Sequence, residues 1–228
     1  MRIIRIDGPI GQEPGEISAR WFRSQLPVDG SPFEAKFHSE GGSVFEAFAI
    51  YDAVASYRGK KTATVESMAF SAASLLLCAF DDVGISPNGY CMIHAPHFDG
   101  EDVPKSEQAL LASLRKKMIG IYASKTQKPV ATISRLIDQE TFFDAEASIS
   151  LGIVNRIVRA SSAVSARMPA RILARIKAAS PVGTTATARW RAAVDARATT
   201  MPRAKAIMAV DESHPGLRQR MIDEANGR

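Results

Sequence analysis

The sequence predicts an α/β fold in which a largely parallel sheet is covered by helices. Two observations lead to this prediction. Short apolar stretches typical of strands alternate with longer stretches of helical spacing over residues 1–159, and such alternation favours the crossover connections that join parallel strands. Turn signals rich in glycine, proline and asparagine separate the segments, as at 8–11 and 87–89.

The first half of this region contains three predicted strands and three predicted helices. Strand-like alternation or short apolar runs predict strands at 1–7, 33–38 and 61–66. Apolar residues at helical spacing predict helices at 16–26, 44–57 and 71–80. The last of these helices is apolar on every side, so we expect it to be buried in the protein.

The second half continues the alternation with longer helices. Short apolar runs predict strands at 83–86, 90–94 and 153–158. Helical spacing predicts a long helix at 105–124, a second helix at 130–139 and a short one at 145–150. In the long helix, Leu114 and Met118 belong to the predicted apolar face, and in the helix at 44–57 Phe48, Tyr51 and Val54 do.

Composition is ordinary for a globular protein and points to the cytoplasm. Of the 228 residues, 46% are hydrophobic and 23% charged. No stretch reaches the roughly 20 consecutive apolar residues that cross a bilayer, and charge and a turn come too early in the chain for a signal peptide. Cys78 and Cys91 lie in apolar runs without metal-type spacing, so we expect free buried thiols in a reducing compartment and no metal site.

The charge divides the chain into two predicted regions. Residues 160–228 hold 12 basic and 5 acidic side chains, whereas residues 1–159 hold 17 basic and 19 acidic ones. We therefore predict a folded domain at 1–159 and a basic, alanine- and arginine-rich extension at 160–228 that is partly helical or disordered. A basic arm that binds nucleic acid or a scaffold is the alternative for this extension, but it has one aromatic residue and no nucleic-acid motif, which favours a solvated extension.

The candidate chemistry is a serine and a histidine at the ends of two predicted elements. Ser71 opens the apolar helix, and His94 ends the strand at 90–94. Serine becomes a nucleophile when a base within hydrogen-bond reach takes its proton. By itself Ser71 is better explained as a helix N-cap than as a nucleophile. Ser74, one turn further on, is a rival that we expect to pack or to bond back to the chain.

A glycine pair upstream completes the set of motifs. Gly41 and Gly42 follow the strand at 33–38 and by themselves indicate a turn. Backbone without side chains also lets a substrate carbonyl approach amide donors, as an oxyanion site requires.

The order of these motifs resembles the proteolytic subunit of the Clp protease family, over about residues 3–158. The matching stretches are EGGS at 40–43, SAAS at 71–74, MIHAP at 92–96 and AEA at 145–147. The resemblance is greatest to a divergent branch that is found near phage head genes.

This resemblance implies roles for particular residues. It assigns the nucleophile to Ser71, the general base to His94 and the triad acid to Glu140, with oxyanion donors at the backbone amides of Gly42 and Ala72. Asp138 and Asp144 are alternative acids. Its substrate-binding positions fall on Gly41, Phe70, Phe98 and Gly100, the last two in a segment that pairs with extended peptide.

The resemblance also implies the fold and the assembly. It implies a crotonase-like spiral of strand-strand-helix units with a projecting helix at 105–124, and a homo-oligomer of heptameric rings, stacked as a tetradecamer, around a chamber. The implied activity is a serine endopeptidase that takes unfolded or extended peptide and needs no cofactor or metal. An AAA+ unfoldase is the partner of housekeeping members, and phage head maturation is the process expected for the divergent branch.

Two departures from the family pattern leave a second function open. Ser67 stands where the motif before the nucleophile begins with glycine, and Phe70 replaces a small residue just before Ser71. We expect the ring of Phe70 to narrow the substrate site or to displace the turn. These departures favour, as the alternative, a catalytically inactive ring-forming assembly protein. An acyl-thioester enzyme of crotonase fold is the third hypothesis. The sequence lacks the glutamate pair that is usual in such enzymes.

Overall fold

A computed structural model describes residues 1–98 and 104–158 of the chain. Seven strands are found in this part: β1 (Arg2–Asp7), β2 (Phe33–Ser39), β3 (Lys61–Phe70), β4 (Asp82–Ile85), β5 (Tyr90–Ile93), β6 (Thr141–Phe143) and β7 (Arg156–Ile157). Six helices accompany them: α1 (Ala19–Gln25), α2 (Val44–Ala55), α3 (Ala72–Leu77), α4 (Lys105–Thr126), α5 (Val130–Asp138) and α6 (Ala145–Leu151).

The strands form one sheet that is almost entirely parallel, as the alternation predicts. The order along the sheet is β1-β2-β3-β4-β7, and every neighbouring pair in that row is parallel. β5 is parallel to β3 at a second place, and β6 is antiparallel to β5. β6 is the one strand that was not predicted, because its three residues are too few to show a period.

β3 changes its partner along its length, and this change positions the site. Residues 62–65 pair with β4, whereas residues 68–70 pair with β5. Between these parts the register against β2 shifts, and a hydrogen bond joins His38 Nδ1 to Ser67 Oγ there. β3 therefore continues four residues beyond the predicted end at 66 and ends beside β5.

Aromatic side chains form the centre of the core between the sheet and the helices. Phe33 and Phe37 point inward from alternate positions of β2, which has a strictly alternating burial pattern. Phe33 makes edge-to-face contacts with Phe22, Tyr57 and Phe80, at centroid distances of 6.4, 5.0 and 6.0 Å. Each fully buried side chain of this size contributes about 1.5–3 kcal/mol of hydrophobic free energy.

The start of α1 differs from the prediction because local hydrogen bonds compete with the helix. Ser18 is the N-cap, and its side chain accepts a hydrogen bond from the Trp21 N–H. Ile17 instead forms a bridge with Ile10, so the helix begins at Ala19 rather than at residue 16. This arrangement brings the 10–19 segment against the first turn of α2.

Glu46 holds this segment in place through two short hydrogen bonds. Its carboxylate accepts from the Ala19 N–H at 2.6 Å and from the Gln12 side-chain amide at 2.6 Å. The Ala19 bond, followed by the Gln12 bond, lowers the pKa of Glu46 below its ordinary value of 4.5, with a smaller contribution from the positive charge of Arg23. The ionised side chain therefore stabilises the folded state.

Glu46→Gln should lower the free energy of unfolding by about 1–3 kcal/mol at pH 7, because a charged acceptor is replaced and an amide then faces the Gln12 amide. The folded pKa lies below the unfolded one, so this contribution is complete above pH 4.5 and is lost as the pH falls through the folded pKa. Urea unfolding at pH 7 and at successively lower pH values measures it.

The matched control is Glu146→Gln, which changes an exposed glutamate in the first turn of α6. We expect it to alter the unfolding free energy by less than about 0.5 kcal/mol. Two results would contradict the stabilising role of the Glu46 carboxylate. One is an equal change in unfolding free energy for both substitutions at pH 7, and the other is a difference between the two changes that does not become smaller at acid pH.

Other sequence predictions fall partly outside the described residues. The boundary at 159/160 and the basic extension at 160–228 lie beyond them, so the two-region organisation stays a prediction. In residues 1–98 and 104–158, no helix combines the length and apolar content needed to span a membrane.

Candidate active site

Ser71 lies on a sharp turn between β3 and α3. Its φ of 53° and ψ of −123° are unusual for a residue with a side chain, and they are found mainly where the surrounding structure imposes them. The Ser71 N–H donates to the carbonyl of Met92 at 2.9 Å, which fixes the turn on β5. A serine on such a strand-to-helix turn exposes its hydroxyl, as in nucleophile elbows.

His94 follows β5 directly and reaches the serine. The parallel register places Phe70 opposite Met92, so the residues after both strands lie side by side. The distance from Ser71 Oγ to His94 Nε2 is 2.6 Å. This is within the range that a general base needs in order to take the serine proton.

Glu140 lies at the end of the neighbouring strand. β6 is antiparallel to β5 with Thr141 opposite Ile93, and Glu140 and His94 are the next residues beyond this pair, the one before β6 and the other after β5. Glu140 has a positive φ, of 45°. In the described part of the chain three non-glycine residues have a positive φ, and Ser71 is another of them. The structure therefore brings Ser71 and His94 into contact after β3 and β5, and it places Glu140 just before β6, which pairs with β5.

The two alternative acids have other partners. Asp138 forms a two-bond ion pair with Arg115, at 2.9 and 2.7 Å, which joins α5 to α4. Asp144 is the N-cap of α6 and accepts from the Ala147 N–H at 2.8 Å. These contacts favour Glu140 as the acid.

Gly42 and Ala72 line the same cleft as the serine. Ile10 bridges the glycine turn by donating to Gly41 O and accepting from the Ser43 N–H, both at 2.8 Å, so the Gly42 N–H is not used in this bridge. Among residues 1–98 and 104–158, neither the Gly42 nor the Ala72 N–H donates to a main-chain carbonyl. An oxyanion role for these two amides requires N–H groups without such acceptors, and the role itself stays a prediction.

Gly41 is positioned by contact with the nucleophile turn. Its φ is +94°, and a Cβ added there would lie 2.5 Å from Phe70 O, 2.8 Å from Ser71 Cβ and 2.9 Å from Ala72 N. The absence of a side chain lets the two turns touch. Gly41 thus contacts the nucleophile turn, and the substrate-binding role that the sequence predicted for it stays a prediction.

The cleft in front of Ser71 has a volume of about 210 Å³. Its polar wall contains the serine, the histidine and the two amide-bearing residues, and the remaining wall is mainly apolar, formed by Ser43, Val44, Phe45, Pro96, His97, Phe98 and Met118. The rings of His94 and His97 lie 5.2 Å apart at an angle of 61°. Such a cleft suits an apolar side chain next to a polarised carbonyl.

Phe70 is placed differently from the prediction. Its side chain is fully buried and packs edge-to-face on Phe142, at 5.6 Å, in a cluster with Met68 and Met92. The ring does not line the cleft, because position 70 is in β3 and faces β6. Phe98 lines the cleft, and Gly100 is outside the described residues, so the substrate-binding role predicted for both stays a prediction.

The other nucleophilic side chains near the site are engaged or inert. Ser74 is fully buried, and its hydroxyl is bonded within the protein rather than exposed in the cleft. Burial raises the pKa of Cys78 and of Cys91 to about 12, so neither forms a thiolate near neutral pH. Within the described part of the chain, no group of three or more histidine, cysteine or acidic side chains is placed to bind a metal ion.

Comparison with known proteins agrees with this geometry. A profile of the family named Clp protease matches residues 30–161, which is more than half of the chain. The chain belongs to the Clp protease family. The fold of this Clp protease family member is accordingly crotonase-like, and membership supports serine peptidase function.

Two curated relatives carry the same family name. The ATP-dependent Clp protease proteolytic subunit 1 of Protochlamydia amoebophila (strain UWE25) is 28% identical over 165 residues, which cover 69% of this chain and 80% of the relative. The ATP-dependent Clp protease proteolytic subunit of Pleurastrum terricola is 30% identical over 135 residues, covering 57% of this chain and 68% of the relative.

The sequence did not reveal which residues of α4 reach the site. Leu114 and Met118 are buried as predicted, but the same stripe continues with Tyr122 and Thr126. Their spacing of four residues is the signal that would have found them. Met118 lines the cleft, and Tyr122 lies behind the nucleophile turn.

Proposed function

We propose that this protein is a serine endopeptidase of the Clp proteolytic subunit type, with Ser71 as nucleophile, His94 as general base and Glu140 as the acid that orients it. The observation that carries the proposal is the 2.6 Å contact between Ser71 Oγ and His94 Nε2, on a strained turn beside two open backbone amides. Family membership supports the same reaction class.

Catalysis begins when Ser71 Oγ attacks the carbonyl carbon of a bound peptide and His94 Nε2 takes the hydroxyl proton. The carbonyl oxygen becomes an oxyanion that accepts hydrogen bonds from the Gly42 and Ala72 amides. The C–N bond then breaks, and His94 gives its proton to the leaving amine. Water, deprotonated by His94, hydrolyses the resulting ester and restores Ser71.

Glu140 stabilises the imidazolium that forms in each step. The continued β5–β6 register supports a contact between its carboxylate and the side of His94 away from Ser71. A carboxylate there holds the ring in the tautomer that presents a free Nε2 to the serine. The positive φ of Glu140 is the kind of backbone strain that is retained at functional sites.

The proposed substrate is an unfolded or extended peptide, and the proposed assembly is a homo-oligomer of rings in the cytoplasm. The mainly apolar wall of the cleft supports an apolar residue next to the scissile bond. Heptameric rings, an AAA+ unfoldase partner and a role in phage head maturation belong to this proposal as expectations from the family.

A fluorophosphonate probe tests the proposal, because it reacts with activated serines and leaves a covalent adduct. Wild-type protein should be labelled once per chain, and peptide mapping should locate the adduct on Ser71. Ser71→Ala should not be labelled. Native mass spectrometry of the same samples reports the size of the assembly.

Ser67→Ala is the matched control, since Ser67 is hydrogen-bonded to His38 in a second Ser–His pair outside the cleft. This variant should be labelled like the wild type. Wild-type protein that assembles but is not labelled would support the inactive ring-forming alternative. Labelling that is lost with Ser67→Ala and kept with Ser71→Ala would assign the nucleophile to Ser67 instead.

A further inference from the structure

Two buried hydroxyl groups lie directly behind the turn that carries Ser71. Ser74 of α3 and Tyr122 of α4 are both fully buried, and their oxygens are 2.7 Å apart. Ser74 Oγ is also 2.7 Å from the carbonyl oxygen of Ser71 and 2.8 Å from that of Met92. The Tyr122 hydroxyl is 3.4 Å from the Ser71 carbonyl oxygen.

The direction of these hydrogen bonds follows from the number of protons. Each hydroxyl has one proton to donate, and a carbonyl oxygen only accepts. Burial raises the pKa of Tyr122 well above its ordinary value, so its proton stays in place, and the Ser74 oxygen is its nearest acceptor. Ser74 therefore donates its one proton toward the carbonyl oxygens of Ser71 and Met92, of which that of Ser71 is the nearer. This gives a chain from Tyr122 through Ser74 to Ser71.

The end of this chain is the peptide group that contains the proposed oxyanion donor. The carbonyl of Ser71 and the N–H of Ala72 belong to one planar trans peptide and point in opposite directions. A donor that fixes the carbonyl therefore fixes the N–H as well. Hydrogen bonds in such a chain also polarise one another, and an amide that accepts at its oxygen donates more strongly at its N–H.

We infer that Ser74 and Tyr122 are positioning residues that aim and polarise the Ala72 N–H toward the oxyanion. The inference rests on the proposed function, because it assigns to these residues a part of that reaction. It also gives α4 a role in the chemistry, since Tyr122 of this helix contacts the nucleophile turn.

The effect of these hydroxyls on the Ala72 N–H is separable from their effect on folding. When a hydroxyl is removed, the carbonyls of Ser71 and Met92 keep other hydrogen-bond donors. The Ser71 oxygen also accepts from the N–H groups of Ser74 and Leu75, at 3.0 and 3.2 Å, and the Met92 oxygen accepts from the Ser71 N–H. Removing a hydroxyl therefore leaves neither carbonyl without a partner. What changes is the orientation of the Ala72 N–H and the strength of the hydrogen bond that it donates.

The test is the rate of fluorophosphonate labelling as a function of probe concentration, which separates the binding constant KI from the rate constant kinact. Ser74→Ala should lower kinact about tenfold, and Tyr122→Phe about threefold, because one oxyanion donor is weakened rather than removed. KI should not change. The pH dependence of kinact should keep its wild-type midpoint, because His94 is not altered.

Two controls remove hydroxyls of the same kind elsewhere. Tyr57→Phe deletes a hydroxyl that donates to a carbonyl far from the site, and Ser148→Ala deletes a fully buried serine hydroxyl of α6. Both should label at the wild-type rate, and circular dichroism tests whether each of the four variants is folded.

The outcomes separate the two proposals. Wild-type protein that is not labelled at Ser71 would overturn the proposed function and this inference with it. Labelled wild-type protein with unchanged kinact in both Tyr122→Phe and Ser74→Ala would overturn the inference alone, as would a loss confined to KI or a shifted pH midpoint. If Ser74→Ala does not fold, the kinact of Tyr122→Phe decides.

Discussion

His94→Gln is expected to lower kcat for peptide hydrolysis by about four to six orders of magnitude. Ser71 Oγ has His94 Nε2 as its partner at 2.6 Å, and without that base the hydroxyl stays protonated at the moment of attack. Glutamine keeps a polar side chain of similar length but cannot carry the proton. The measurement is hydrolysis of a fluorogenic peptide with leucine before the scissile bond.

His97→Gln is the matched control for this prediction. Its ring is 5.2 Å from that of His94 and lines the same cleft, but it is exposed and has no assigned part in proton transfer. We expect kcat to stay of the same order as in the wild type. If the substitution has an effect, it should be on KM. An inactive His97→Gln variant beside an active His94→Gln variant would assign the base to the other imidazole.

Gly41→Ala is expected to lower kcat at least about a hundredfold, because the added Cβ separates the oxyanion turn from the nucleophile turn. The Cβ would lie 2.5 Å from Phe70 O and 2.9 Å from Ala72 N, both backbone atoms that cannot rotate away. The turns must therefore move apart, and displacing one oxyanion donor costs about 10²–10³ in kcat. Hydrolysis of the fluorogenic peptide measures the loss of kcat, and thermal unfolding measures the effect of the substitution on stability.

Gly8→Ala separates steric overlap from backbone strain. Gly8 has a φ of +97°, close to the +94° of Gly41, but nothing lies within 4 Å of the Cβ that would be added. Both variants carry a strain of about 1–2 kcal/mol, and only Gly41→Ala adds the collision. Similar kcat values for the two variants would show that contact between the turns is unimportant for catalysis.

The sequence predicted the fold class and the candidate residues because both depend on local patterns. Alternation of short apolar runs with helical spacing indicated a parallel sheet, and the described part of the chain has one. A hydroxyl at a helix start and an imidazole at a strand end indicated serine chemistry. Motif order supplied the family, to which residues 30–161 are matched.

Helix faces and side-chain directions were harder to predict. In α2, Phe48 and Tyr51 were expected in the core, but the buried residues are Glu46, Ala47, Ile50 and Val54. Phe48 and Tyr51 instead line a groove with α4 that also contains Asp52 and Lys117. Hydrophobic spacing by itself does not tell such a groove from the core. Phe70 was expected beside the substrate for a similar reason: the sequence gives its neighbour Ser71 but not the direction of its ring.

The sequence by itself determined which groups are present, namely one serine, one imidazole, one carboxylate and a glycine pair in the order that this family shares. Only the tertiary structure decided which groups meet. The partner change of β3 brings Ser71 to His94, and β6 brings Glu140 to the same edge. The contact of Tyr122 with Ser74 spans 48 residues of chain, and such a pairing depends on how whole elements pack rather than on any local spacing.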